Sequence, residues 1–372
     1  MIRLIPSLPA AYVIARVVWP LPAPLALRLG LAALLLVASQ YHLWSRLSSG
    51  SVFAPEFPRP VVILFNWAFG AIALAAVMQL ALDLVALISL ALPGGGWAIP
   101  TAWRAALAAA AACLSAVAVW RAARVPPLKD VPVAIADLPP GLDGYTILHL
   151  TDLHISRLFP AAWAGAVVAR ANALRADLIV VTGDFIDGSL EARRSDVRPL
   201  QDLRARDGVW AVPGNHEYFF DHDAWMRHLA GLGIRVLANA HTVLRRGGAA
   251  LVLAGVTDRS APATGHPGPD LDTALADAPE GAPIVLLDHQ PANAARAAAR
   301  GVALQLSGHT HGGMIRGLDR LVARGNAGFV SGAYRVGTMR LYVSNGTGLW
   351  PGFALRLGRP SELTRVTLRR AT

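Results

Sequence analysis

The sequence predicts an α/β sandwich built around mixed sheets, preceded by a helical membrane region. Three observations carry this. Apolar residues dominate the first third of the chain without helical striping. A proline-rich stretch follows. Beyond it, short apolar runs alternate with segments of helical spacing, and five of those runs end in polar clusters. With 372 residues the chain accommodates one sizeable domain plus an appendage.

The membrane region comes first. Hydrophobic residues make up 54% of the chain. The mean hydropathy is +0.43. Both are high for an ordinary soluble enzyme. Residues 1–125 hold eight arginines and, as acids, only Glu56 and Asp83. Residues 61–92 form a long apolar run, longer than a bilayer core requires. Residues 101–120 and 25–44 make two further spans. Residues 8–21 are apolar but short and interrupted by Arg16, so they form either a fourth span or an interfacial segment. A soluble helical bundle would be striped, whereas these runs are uniformly apolar. The expectation is a transmembrane region over 1–122 with three to four helices and no cleavable signal peptide. With four spans Arg3, Arg46, Arg59, Arg121, Arg124 and Lys129 share one side; with three the amino terminus switches sides, but the charged 121–129 tail still argues the same way, so a multi-pass protein in a bacterial inner membrane, with its polar domain on the cytoplasmic face, is expected.

Residues 123–144 carry Pro126, Pro127, Pro132, Pro139 and Pro140 and read as an irregular linker with room for one edge strand. From 145 to 372 the elements alternate. Strands are expected at Tyr145–Leu150, Asp177–Val181, Gly208–Val212, Arg235–Ala238, Thr242–Arg245, Ala250–Val256, Ile284–Leu287, Ala303–Leu306, Leu341–Ser344 and Glu362–Leu368. Helices are expected at Ala161–Arg175, Val197–Arg206, Asp223–Leu232 and Ala292–Ala299.

The polar clusters are Asp152-Leu153-His154, Gly183-Asp184, Gly214-Asn215-His216-Glu217, Asp288-His289 and Gly308-His309-Thr310-His311. Each follows an expected strand, and in α/β sheets ligands collect where strands end. Asp152 and His154 can grip one ion from a single loop. Asp184 has two oxygens, one for each of two cations. Asn215 offers a neutral carbonyl oxygen, and His289, His309 and His311 offer imidazoles. Carboxylate, amide and imidazole without sulfur suits two divalent ions of the Mn, Fe or Zn type. Such a pair, about 3.5–4 Å apart, suits phosphoryl transfer to water. His216 need not bind metal; it can protonate a leaving oxygen or stabilise transition-state charge. Glu217 caps or orients its loop, and Asp288 lies behind the ligands. Asp187 either steadies the Asp184 loop or is solvated. His149 packs within its strand or supports a ligand, and Asn345 to Gly348 either line the mouth of the site or form a plain turn. His42, His222, His228, His241 and His266 belong to no constellation.

The order of these five blocks resembles the calcineurin-like metallophosphoesterase superfamily, in its membrane-associated bacterial branch, over roughly residues 145–348. The resemblance implies a four-layer α/β/β/α sandwich. It also implies that Asp152, His154, Asp184 and His311 hold one metal, that Asp184 bridges, and that Asn215, His289 and His309 complete the second site. His216 matches the histidine that assists the leaving group. Met314 stands where a polar residue often occurs in that branch.

The implied function is hydrolysis of a phosphoester or pyrophosphate by metal-activated water. The membrane region tilts the substrate toward lipid-linked molecules, and the resemblance adds a candidate, the pyrophosphate of UDP-2,3-diacylglucosamine. Preference between esters rests with the loops 218–240 and 258–282, which carry no recognised signature. A second reading keeps the fold without turnover, as a membrane sensor or scaffold. A transporter finds support only in Asp83 and Arg16. The net charge of +10 comes without any Lys/Arg run interleaved with aromatics, so no nucleic acid partner is expected. Cys113, the sole cysteine, excludes an internal disulfide or thiolate metal site.

Overall fold

A computed structural model describes residues 4–371; Met1–Arg3 and Thr372 lie outside the described residues, and with them the expected role of Arg3. The chain divides into two compact units. One comprises Met1–Ala123 with Pro351–Leu355, the other Arg124–Trp350 with Arg356–Thr372.

The first unit is helical: α1 (Leu4–Val13), α2 (Leu25–Ser39), α3 (Tyr41–Ser49), α4 (Arg59–Ser89) and α5 (Thr101–Ala123). Two of these, α4 and α5, are long and apolar enough to cross a membrane; α2 and α3 pass that test only as a pair bent by 54°. The run 25–44, expected as one span, is therefore broken at Gln40. The Ser39 hydroxyl donates back to the Leu36 carbonyl, a bond that competes with the helix ladder and favours a bend. Helix α4 starts behind Pro58, with Pro60 in its first turn where no N–H is missed. It ends before the Pro93-Gly94-Gly95-Gly96 turn.

Helices α4 and α5 approach closely at Gly70, where an added Cβ would lie 2.6 Å from the Ser115 hydroxyl. Their polar groups pair internally. The Trp67 indole donates to the Ala112 carbonyl at 2.9 Å, and Ser115 to the Trp67 carbonyl at 2.8 Å. The segment Pro351–Leu355 is held by Tyr41 and Asn66, both donating to the Pro351 carbonyl, and by the Asn66 side-chain oxygen accepting from Ala354.

The second unit is built from two six-stranded mixed sheets. In chain order its elements are β1 (Leu128–Ile135), β2 (Thr146–Leu150), α6 (Ala161–Ala173), β3 (Leu178–Thr182), α7 (Leu190–Val197), β4 (Val209–Val212), α8 (Asn215–Phe219), α9 (His222–Gly231), β5 (Arg235–Val236), β6 (Ala240–Arg246) and β7 (Ala249–Gly255). They continue with α10 (Leu271–Ala274), β8 (Ile284–Leu287), α11 (Ala294–Ala299), β9 (Leu304–Ser307), α12 (Asp319–Gly325), β10 (Gly332–Val336), β11 (Met339–Val343) and β12 (Leu363–Arg370).

The first sheet runs β1-β12-β2-β3-β4-β5, with β2 to β5 parallel and β12 antiparallel to β2. The second runs β10-β11-β9-β8-β7-β6, with β7, β8, β9 and β11 parallel. One core cluster draws on both sheets, including Ile147, Leu178, Val180 and Val212 from the first and Leu253, Val285, Leu287 and Leu306 from the second. Apolar residues from both sheets leaving water together drive this packing.

The proline-rich stretch contains β1, which lies at a sheet edge, the place a strand can carry Pro132. The helix expected at Val197–Arg206 forms earlier, over α7. There the Ser189 side chain caps the first turn, while Pro199 confines 198–202 to a tighter turn. Strand β10 and helix α12 were not among the expected elements; β10 alternates half-buried and exposed residues, a weak apolar signal.

Candidate metal centre

Five strand ends meet. Strands β2, β3 and β4 are parallel neighbours in the first sheet, and β8 and β9 in the second. Their carboxyl ends deliver Asp152 and His154, Asp184, Asn215 and His216, His289, and His309 and His311. Asp152, His154 and His311 present donor atoms within 4.8 Å of one another, as do His154, Asp184 and His216, and Asp184, His289 and His309. The structure thus brings together every residue singled out from the five motifs.

Close backbone approach makes this possible. Gly183 has φ +82, and an added Cβ there would lie 2.4 Å from the Gly214 nitrogen. A Cβ on Gly308 would meet the Thr151 hydroxyl at 2.1 Å and an Asp152 oxygen at 2.3 Å. These glycines are required by crowding rather than by turning alone. Asp152, His154, Asp184, His309 and His311 all adopt positive φ, between 45° and 69°. Each costs about 1–3 kcal/mol, and such strain gathers at functional sites.

The hydrogen bonds leave several acceptor atoms facing one another. His289 Nδ1 is 2.7 Å from the Thr182 carbonyl, which can only accept, so a neutral ring carries its proton there. Its Nε2 lone pair then faces Asn215 Oδ1 at 3.0 Å and Asp184 Oδ2 at 3.3 Å. His309 Nδ1 approaches the same Asn215 oxygen at 2.9 Å. On the other side, His154 Nδ1 is 3.0 Å from the Asp187 carboxylate, so its Nε2 lone pair faces His311 Nε2 at 3.2 Å and Asp184 Oδ2 at 3.7 Å. His311 Nε2 is also 3.7 Å from Asp152 Oδ1. Two groups of acceptors therefore converge on shared points, and a divalent cation at each point is the fit their chemistry calls for. One oxygen of Asp184, Oδ2, faces both groups, while Oδ1 accepts the His216 N–H at 2.9 Å. The sequence reading had assigned one oxygen to each cation.

The surrounding bonds hold this arrangement. The Glu217 carboxylate accepts from Gly214 N and Phe185 N at 2.7 Å each and from Asp184 N at 3.0 Å, clamping two loops as expected for a capping residue. Asp187 is fully buried and holds both His154 and, at 2.5 Å, His216 Nδ1. Burial alone would raise Asp187; the two imidazoles outweigh it and keep its carboxyl below the usual range. Asp187 is not solvated, and the sequence offered no sign that one carboxylate would serve two histidines.

Burial opposes charging of His216, but Asp184 and Asp187 outweigh it and raise it to about 9. His149 packs in β2 against the Thr182 hydroxyl, and burial pushes it down to about 3. Asp288 is buried behind the candidate ligands beside Asn293, and burial, then Asp258, pushes it up to about 7. Arg356, which no motif marked, is fully buried and donates to the carbonyls of His311, Asn345 and Gly348 at 2.5, 2.6 and 2.9 Å. Asn345 bonds Ser331 and the Pro360 carbonyl, in keeping with a structural turn. His222 and His266, expected to stand alone, instead meet around Asp223.

The mixed α/β unit thus presents candidate carboxylate, amide and imidazole metal ligands at adjacent strand ends. Residues 145–313 match the family model for calcineurin-like phosphoesterases. An uncharacterized metallophosphoesterase of Bacillus subtilis is 31% identical over 62% of this chain and 82% of its own length. A transmembrane protein with metallophosphoesterase domain from Bos taurus is 36% identical over 69% of this chain and 60% of its own. An uncharacterized metallophosphoesterase of Helicobacter pylori is 34% identical over 65% and 64%. The chain belongs to the calcineurin-like metallophosphoesterase family. It spans about 60–64% of the length of the last two relatives.

Proposed function

We propose that this chain is a membrane-anchored phosphoesterase with two divalent metal ions, of the Mn, Fe or Zn type. The observation that carries it is the convergence of carboxylate and imidazole atoms in two groups that both face Asp184 Oδ2. Asp152, His154, Asp184 and His311 would hold one ion, and Asp184, Asn215, His289 and His309 the other. When bound, such ions supply Lewis-acid stabilisation of a phosphoryl group and activation of water.

The chain's own residues then orient and protonate. Asp187 fixes the rings of His154 and His216 through their Nδ1 atoms. Nε2 of His216, 4.0 Å from Asp184 Oδ2, would donate a proton to the leaving oxygen. His309 and His311 are partly exposed, so the substrate enters on their side. The core shared by both sheets supports the four-layer α/β/β/α arrangement.

A multi-pass placement in a bacterial inner membrane, with the catalytic unit cytoplasmic, is supported by the apolar α4 and α5 and by the arginines that flank them. Only Arg124–Pro127 separates α5 from β1, a short covalent tether. This favours a substrate at the bilayer surface, and a lipid-linked pyrophosphate such as UDP-2,3-diacylglucosamine is the candidate. The test is hydrolysis of a chromogenic phosphodiester by the full chain in detergent with added Mn. Turnover that disappears with Asn215→Ala supports the enzyme. Absence of turnover on phosphomonoesters, phosphodiesters and lipid-linked pyrophosphates, with two metals bound, supports a silent sensor instead.

A further inference from the structure

His222 and Asp223 open helix α9, and His266 lies in the loop after β7; none of the three belongs to the candidate catalytic centre. One donor atom from each lies within 4.8 Å of the other two. Asp223 Oδ1 is 3.0 Å from His222 Nδ1 and 3.4 Å from His266 Nε2.

The protons here can be counted. The Thr264 hydroxyl donates its single proton to the Ala261 carbonyl at 2.9 Å. It must therefore accept at its 3.0 Å approach to His266 Nδ1, which fixes the proton of a neutral His266 on Nδ1. His266 Nε2 then presents a lone pair to the Asp223 oxygen, so two acceptors face each other across 3.4 Å. A hydroxyl that sets the far nitrogen of an imidazole is the outer support a metal-bound histidine requires.

The rings are also held before any ion arrives. Tyr218, itself buried, stacks on His222 with centroids 4.3 Å apart and planes 6° apart. It meets His266 edge-on at 5.4 Å. Asp221, which caps α9, sits at φ +64, a costly conformation for a non-glycine residue that sets the start of the helix. The Asp223 side chain is 63% exposed, so solvent reaches the cluster and can complete a coordination shell.

We propose that His222, Asp223 and His266 form a third, structural metal site for a zinc-type divalent ion. Two imidazoles and one carboxylate suit zinc, with water as the fourth ligand. The ion ties the loop after β7 to the start of α9. Those are the loops that the sequence left without a signature and that flank the GNHE motif carrying Asn215 and His216. The proposal does not depend on turnover at the main centre.

The test compares zinc bound per chain in the full protein with that in His266→Gln and His222→Ala, after equilibration with micromolar zinc and removal of free metal. The wild type is expected to hold one more zinc ion than either variant. Zinc is also expected to protect the 258–270 loop from proteolysis in the wild type alone. His266→Gln, on a loop, keeps the test usable if His222→Ala fails to fold; circular dichroism monitors folding. Equal zinc content in wild type and His266→Gln, or a third ion bound only at millimolar zinc, overturns the proposal and leaves a protonated His–Asp–His cluster.

Discussion

Asp83 in the helical unit is half-buried and Asp184 in the α/β unit is buried, and the two carboxylates differ in what neutralises them. Asp83 accepts from the Tyr12 hydroxyl and from the guanidinium groups of Arg16 and Arg104, with Arg104 in turn bonded to Gln79. Its partners are a hydroxyl and two permanent cations of the same unit, so the cluster is complete as folded. Asp184 faces His154 and His289, whose protons are committed elsewhere, to Asp187 and the Thr182 carbonyl. A buried carboxylate with fixed cationic partners serves structure. One that meets lone pairs asks for an ion from outside.

Four experiments test that contrast. The largest effect is expected from Asp184→Asn, which removes the charge shared by both acceptor groups. Turnover of a chromogenic phosphodiester should fall by about 10²–10³-fold or more, with loss of bound metal measured by elemental analysis. Retained metal content in this variant would contradict the site as drawn.

Asp187→Asn keeps the size of the side chain but removes the carboxylate that orients His154 and His216. A loss of about 10–100-fold in metal affinity or kcat is expected. Because His216 would lose its orientation as well, kcat should fall even at saturating metal.

Asp83→Asn should leave metal content and turnover per folded molecule unchanged while lowering stability in detergent by about 1 kcal/mol, read as a lower thermal midpoint. Loss of bound metal in this variant would mean that the two clusters are not independent.

The smallest effect concerns Asp177, which accepts from Thr146 at its backbone N–H and hydroxyl and pairs with Arg246. Burial would raise its carboxyl, but Thr146 and Arg246 outweigh burial and lower it. A depressed folded-state pKa gives stability that is present above the unfolded carboxylate value of about 3.9 and lost as pH falls through the folded value. The stability difference between wild type and Asp177→Asn, followed by denaturant unfolding from pH 6 to pH 2.5, should therefore shrink below about pH 4. A difference that stays constant would show that the charge contributes nothing.

Much of the α/β unit was legible because local burial dictates periodicity. Strands such as Leu178–Thr182 and Ile284–Leu287 are continuous apolar runs, as parallel strands covered on both faces must be. Strand β10 and helix α12 were not legible, since neither buries a continuous apolar face. The bend at Gln40 depends on a side-chain bond to the backbone, which hydropathy does not register.

The site divides the same way. The seven candidate ligands and His216 were legible in the sequence, because each sits where a strand stops and the residue types offer oxygen or nitrogen to a hard or borderline ion. Only the tertiary structure decided that Asp187 serves two histidines, that Arg356 braces the His311 loop, that a single oxygen of Asp184 faces both acceptor groups, and that His266 meets His222 and Asp223. Those facts depend on segments distant in the chain packing side by side. The free energy that brings them together comes from the core shared by the two sheets, not from the polar residues themselves.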